Sequence, residues 1–168
     1  MSMRNRPQII IDGYNYILRQ DRIDFDQEYA LWDAREKLIH QMIAYLGQKQ
    51  LRITIVFDGQ DLKGITKIRR PAGLSVLFSH APQKADPLII KMVQKAKNPG
   101  SITVVSSDAN LVNTVKAYGC IVTSSEDFST RIAADHREIE FINKYDAQLT
   151  PKEVEEWMRI FRENERKD

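Results

Sequence analysis

The sequence contains one cysteine, Cys120. An internal disulfide is therefore excluded, and so is a Cys-pair zinc site. Cys120 lies among Gly119, Ile121 and Val122 and reads as a buried strand residue, not as a nucleophile, because a reactive thiolate needs an electropositive, accessible setting. Histidine is scarce too. His40, His80 and His136 are scattered without metal-ligand spacing. No apolar run reaches the length of a membrane span, and the polar, basic start from Met1 to Pro7 precedes too short an apolar stretch for a signal peptide. These absences lead us to expect a cytoplasmic chain with no membrane partner. Internal repeats, low-complexity tracts and interdomain linkers are lacking as well. Charge of one sign is also missing: 25 Lys and Arg face 23 Asp and Glu, a net of +2, so composition alone does not mark a nucleic-acid binder.

What is present is a core-forming pattern. A chain of 168 residues with 42% hydrophobic content suits one domain, 1–168, with a terminal extension. Residues 8–11, 52–57, 74–78, 102–106 and 120–123 are short runs rich in Ile, Val and Phe. They largely lack polar alternation, the mark of parallel strands covered on both faces. Helical spacing intervenes. Leu31, Ala34, Leu38, Met42 and Tyr45 share one face of a helix running to about Gln48. Leu88, Ile89, Met92 and Val93 share another, and Leu111, Val112 and Val115 a third that stops at Gly119. Residues 59–73 read as a loop. A further helix is expected over about 126–143. Thr150-Pro151-Lys152-Glu153 then forms a capping box opening a final helix, 150–165, with Val154, Trp157, Met158 and Phe161 on the face that docks on the domain. The alternation predicts a layered α/β fold with right-handed crossovers.

Four aspartates fall at or just after strand ends: Asp12, Asp58, Asp86 and Asp108. In open parallel sheets the ligand crevice lies beyond the carboxyl ends of the strands. Each residue has a plainer role available. Asp86 before Pro87 suits a helix N-cap, Asp108 could cap the next helix, and Asp58-Gly59 could be a turn. Asp12 is the one that capping explains least, and Gly13 and Asn15 beside it suit close approach to a ligand. A loop from Ser79 to Ala85 is long enough to carry Asp86 toward Asp12. Two carboxylates ~4 Å apart repel by ~4 kcal/mol at an effective dielectric of about 20. Such a cluster keeps a proton or binds a cation, and oxygen-only ligands suit Mg²⁺ or Mn²⁺. Loop residues Lys63, Lys67, Arg69 and Arg70, with Lys84 and Arg35, are candidate RNA phosphate contacts, and a surface ion pair is the equal alternative for Arg35. Tyr14 and Tyr16 are candidates for stacking a base.

These residues together resemble NYN-domain proteins of the YacP-like family, within the PIN-like nuclease fold. The resemblance rests on Ile11-Asp12-Gly13-Tyr14-Asn15, Ala34-Arg35-Glu36, and Val56-Phe57-Asp58-Gly59 with Gly64. It continues through Ala85-Asp86, Ser107-Asp108 and Ser125-Glu126-Asp127-Phe128. It implies a three-layer, Rossmann-like fold with a five-stranded parallel sheet in order 3-2-1-4-5. It also implies a metal-dependent endoribonuclease acting on single-stranded RNA. By motif position Asp12, Asp86 and Asp108 would form the acidic site with Asn15 beside them. Asp58 would support it or bind the metal indirectly, and Asp127 is a further candidate. Lys84 and Pro87 stand where small hydroxyl residues are usual. That departure motivates a second expectation, a non-catalytic RNA-binding module on the same fold. A third, phosphoryl transfer through an aspartyl-phosphate, lacks its partners: Tyr14 occupies the place of a second acid, and Ser124 and Ser125 that of a lysine after the fifth strand. The pattern leaves homo-oligomerisation open.

Overall fold

Five stretches of branched and aromatic residues become parallel strands because both of their faces are covered. The computed structural model describes residues 6–20, 28–47, 49–59, 71–80 and 82–146. The strands are β1 (Gln8–Asp12), β2 (Arg52–Asp58), β3 (Leu74–Ser79), β4 (Ile102–Val105) and β5 (Ile121–Thr123), in the order β3-β2-β1-β4-β5 with every pairing parallel. Alternation is missing because neighbouring residues enter different cores. Ile9, Ile11, Ile53, Ile55 and Phe57 pack on one face with Tyr16, Leu38, Met42 and Phe128. Ile10, Val56 and Val104 pack on the other with Ile89, Val93, Leu111 and Val115.

The helices are α1 (Gly13–Gln20), α2 (Glu28–Leu46), α3 (Ala85–Gln94), α4 (Ala109–Ala117) and α5 (Ser125–Asp146), with a 3-10 turn at Pro99–Ser101 before β4. The expected α2, α3, α4 and α5 are all present. The one helix that spacing did not reveal is α1, which starts directly from the last residue of β1. At eight residues, and beginning with no break after the strand, it is shorter than the roughly 11–18-residue stretch over which helical spacing can be read. Gly119, at φ +88°, takes the left-handed position that ends α4, as expected of glycine there.

Gly13 was expected to allow close approach to a ligand. Its neighbour is instead Phe57: a Cβ on Gly13 would fall inside the Phe57 ring's van der Waals envelope. The bare backbone lets α1 lie against β2 and fixes where Asp12 ends. Cys120 precedes β5, is buried, and has its thiol pKa raised by that burial.

By its internal contacts the chain forms two compact units, Met1–Ile132 and Ala133–Asp168, with the sheet in the first. The final helix expected at 150–165 and loop residues Lys63, Lys67, Arg69 and Arg70 lie outside the described residues. No helix among the described residues is long and apolar enough to cross a membrane.

Candidate active site

The register of the central strands decides which acids can meet. Asp12 closes β1 opposite Val56, and Asp58 closes β2 opposite Ser79 at the end of β3. Beyond β4 the chain runs Ser106-Ser107-Asp108 into α4. The crossover from edge strand β3 brings α3 back over β1 and β2, so Asp86 in its first turn returns to the sheet centre. The four aspartates therefore share one end of the sheet, as the spacing predicted.

Their local duties differ from those expected. Asp86 is not an N-cap. Lys84 holds that position with no side-chain bond, the helix begins at Ala85, and Pro87 is its third residue. The N-terminus of α3 is served from β2 instead: the Ala85 N–H donates to Asp58 Oδ1, which also accepts from Ser79 Oγ at 2.9 Å. Asp108 does cap α4, accepting from Leu111 N at 2.9 Å. Asp12 also faces a helix start, since the Asn15 backbone N–H donates to its carboxylate. Capping thus engages Asp12, Asp58 and Asp108. Of the four, only Asp86 has no hydrogen-bonded duty among the described residues.

Electrostatics separates the acids further. Asp12 is 7% exposed. Its pKa is pushed up from 3.8 to about 6, first by burial and then by the negative charges of Asp86 and Asp58. Ser106 Oγ, at 3.1 Å from Asp12 Oδ2, opposes the shift. Asp86 is also raised, by burial and by Asp108 and Asp58, with the Lys84 charge pulling the other way. Asp86 therefore feels all three of the others, directly or in return.

A serine-rich network holds the neighbouring wall. Ser106 Oγ joins Asp12 to α4, donating to the carboxylate and accepting from Asp108 N at 3.1 Å. Asn15 Oδ1 accepts from Ser107 N at 2.8 Å and from Ser125 Oγ at 2.9 Å. Ser107 Oγ accepts from Ser125 N at 3.0 Å and donates to Glu126, which pairs with Arg19 at 3.6 Å. Asn15 thus ties α1 to β4 and α5, which makes it a positioning residue. Ser79 and Ser106 carried no distinctive sequence signal, and Ser107 and Ser125 entered only as parts of the motifs behind the resemblance. A small hydroxyl residue at a strand's last position or within two residues after it is the one feature that could have marked them. Asp127 is exposed in the first turn of α5, outside this network.

Arg35 proves to be a buried cation, 5% exposed, rather than one half of a surface ion pair. Its guanidinium lies over Tyr14 at 5.0 Å, Phe57 at 5.7 Å and Phe78 at 6.0 Å from the ring centroids. Neither its Nε nor the buried Tyr14 hydroxyl has a hydrogen-bond partner among the described residues. Burial alone lowers its pKa. Tyr14 is held against Phe57, ring centroids 5.3 Å apart, with only part of its surface open. Tyr16 is fully buried and packs on Phe128, so it is a core residue and cannot stack a base. Lys84 is exposed at the start of α3.

Among the described residues no three His, Cys, Asp or Glu side chains stand close enough to enclose a metal ion. Mg²⁺ is commonly held by one or two carboxylates with several waters and substrate phosphates, not by an all-protein cage. Asp12 and Asp86 are the oxygen donors that could serve an ion held in that way, and the Asp86 charge raises the cost of ionising Asp12.

Comparison with known proteins agrees with this fold. The profile of the YacP-like NYN domain matches residues 9–164. The uncharacterized protein YacP of Bacillus subtilis strain 168 is 26% identical over 133 residues, covering 79% of this chain and 78% of that protein. The crystal structure of Rae1 (YacP) from Bacillus subtilis superposes with a TM-score of 0.68 at 25% identity, covering 94% of each chain. A tryptophan-to-leucine mutant of the same protein superposes with a TM-score of 0.70 at 23% identity, covering 86% of this chain and 85% of that one.

Proposed function

This chain belongs to the YacP-like NYN domain family, with its nuclease-like fold, and on that premise we propose that it is a metal-dependent endoribonuclease cutting single-stranded RNA. One observation carries the proposal: Asp12, buried at the end of the central strand, has its pKa raised to about 6 partly by Asp86. Near neutral pH such a pair is stabilised by a cation, and an acidic crevice needs one to accept a polyanion. Asp12 and Asp86 would hold Mg²⁺ or Mn²⁺. Bound there, the ion would supply charge neutralisation at the phosphodiester and a more acidic water.

The chain's own residues have distinct parts. Ser106 fixes the Asp12 carboxylate, and Asp58 fixes the first turn of α3 and with it Asp86. Asp108 adds negative charge while capping α4. Arg35, with no acid paired to it among the described residues and seated on Tyr14, is suited to a substrate phosphate, and Lys84 to another. Pro87 costs α3 no hydrogen bond, because the first four N–H groups of a helix have no partner within it.

The second reading, RNA binding without cleavage, draws on Lys84, whose charge already favours ionised Asp86 and competes with a cation. One assay separates the two. Purified protein is incubated with single-stranded RNA in Mg²⁺, Mn²⁺ or chelator. The proposal expects cut, 5′-phosphorylated product with metal only, lost in Asp12→Asn. Undiminished cleavage by that variant rejects the site, and binding without product under every metal favours the second reading.

A further inference from the structure

In a parallel sheet every helix-to-strand connection lies at one end, opposite the crevice. Here the described residues leading into strands at that end are 49–51 before β2, 71–73 before β3, 95–101 before β4 and 118–120 before β5, and none is Asp or Glu. Around them stand Arg6, Arg52, Lys95, Lys97 and Lys116. None of the five pairs with an acid among the described residues. The opposite end carries Asp12, Asp58, Asp86, Asp108, Glu126 and Asp127.

Helix dipoles explain part of this segregation. Lys95 and Lys116 sit at the negative C-termini of α3 and α4. They do not explain Arg6 and Arg52. Arg52 opens β2, its N–H donates to the Pro7 carbonyl at 2.9 Å, and Arg6 therefore lies beside it. Both guanidinium groups keep a buried Nε without a partner among the described residues, and Arg52 Nη2 donates to neutral Gln8. Two adjacent cations without an acid call for an anion from outside.

We propose that the amino end of the sheet is a second RNA-contacting surface, which grips the phosphate backbone of a long RNA away from the acidic crevice. The inference rests on RNA being the substrate. Such a surface would add hold on a polyanion that the crevice end, without its cation, repels. The two ends are separated by the length of β2, seven residues or about 20 Å. A tetranucleotide cut in the crevice leaves two nucleotides on either side and cannot wrap to the far end.

The test uses the full chain with Lys95, Lys97 and Lys116, all exposed or half-exposed, changed to Glu together, and separately Arg6→Gln with Arg52→Gln. In chelator, where nothing is cut, affinity for a fifty-nucleotide single-stranded RNA should fall at least tenfold in the triple variant. Its salt dependence should become shallower by roughly 2 in log–log slope, about 0.7 per lost phosphate contact. The arginine pair should give a smaller loss in the same direction. With metal, KM for the long RNA should rise at constant kcat, and kcat/KM for the tetranucleotide should not move. Equal losses on long and short RNA, or none on either, would overturn the proposal. So would binding to phosphatidylserine vesicles that the triple variant loses while its RNA affinity stays intact. The chelator measurement stands even if no cleavage is ever found, so failure of the nuclease reading is seen separately.

Discussion

The two ends of the sheet are made from the same strands and are opposites in chemistry. At the carboxyl ends, acids are drawn together by register: Asp12 and Asp58 on adjacent strands, Asp86 returned by the α3 crossover. At the amino ends, Arg6 and Arg52 adjoin with no acid among the described residues in reach. Helix dipoles favour both arrangements, anions at N-termini and cations at C-termini. Residues that exceed this need are therefore the informative ones. At the acidic end that residue is Asp86, which caps nothing and yet faces three other carboxylates. At the basic end they are the two arginines at strand starts. The contrast teaches that charge placed beyond what the fold requires marks a surface that meets something else.

The strongest way to break the contrast is to remove the acid without a structural task. Asp86→Asn should lower kcat for RNA cleavage about a thousandfold, about 4 kcal/mol in the barrier, while KM changes little. Steady-state kinetics in Mn²⁺ would measure this. A rise in KM with unchanged kcat would make Asp86 a binding residue only.

Next in size is a stability effect of the opposite sign. The folded state holds the Asp12 proton more tightly than the unfolded chain, with a pKa of about 6 against 3.8. Stability without metal should therefore fall as pH rises from about 4 to about 6 and stay lowered above that, by on the order of 3 kcal/mol. Asp12→Asn has no such loss. In chelator at pH 7 it should be more stable than the parent, and the gap should close below pH 4. Urea unfolding at several pH values reads this directly.

Two smaller changes test how the acidic end is held. Gly13→Ala pushes a methyl into the Phe57 ring and should cost about 1–3 kcal/mol in urea unfolding. Ser106→Ala removes a bond that holds the Asp12 pKa down. The acid limb of the pH–rate profile should move to higher pH, with a loss of about 1 kcal/mol or less in stability.

Much of the acidic end was legible from residue order. Ile-rich runs ending in Asp12 and Asp58 locate strand ends, and parallel topology sends them to one crevice. Their division of labour was not legible. That Asp58 serves α3 from another strand, leaving Asp86 free, depends on a contact 27 residues apart. The burial of Arg35 was not legible, because nothing local shows that Tyr14, Phe57 and Phe78 close around it. The basic end was hidden more completely. Arg6, Arg52, Lys95, Lys97 and Lys116 are scattered along the chain, and a net charge of +2 averages them against the acids at the other end.

The central claim is that the acidic end is a cation site built on Asp12. Titrating Mn²⁺ into the protein at pH 7 by calorimetry tests it most directly, alongside Asp12→Asn. Saturable binding to the parent that weakens at least tenfold in the variant is the predicted result. Equal affinity in the two proteins, or no binding to either, would contradict it.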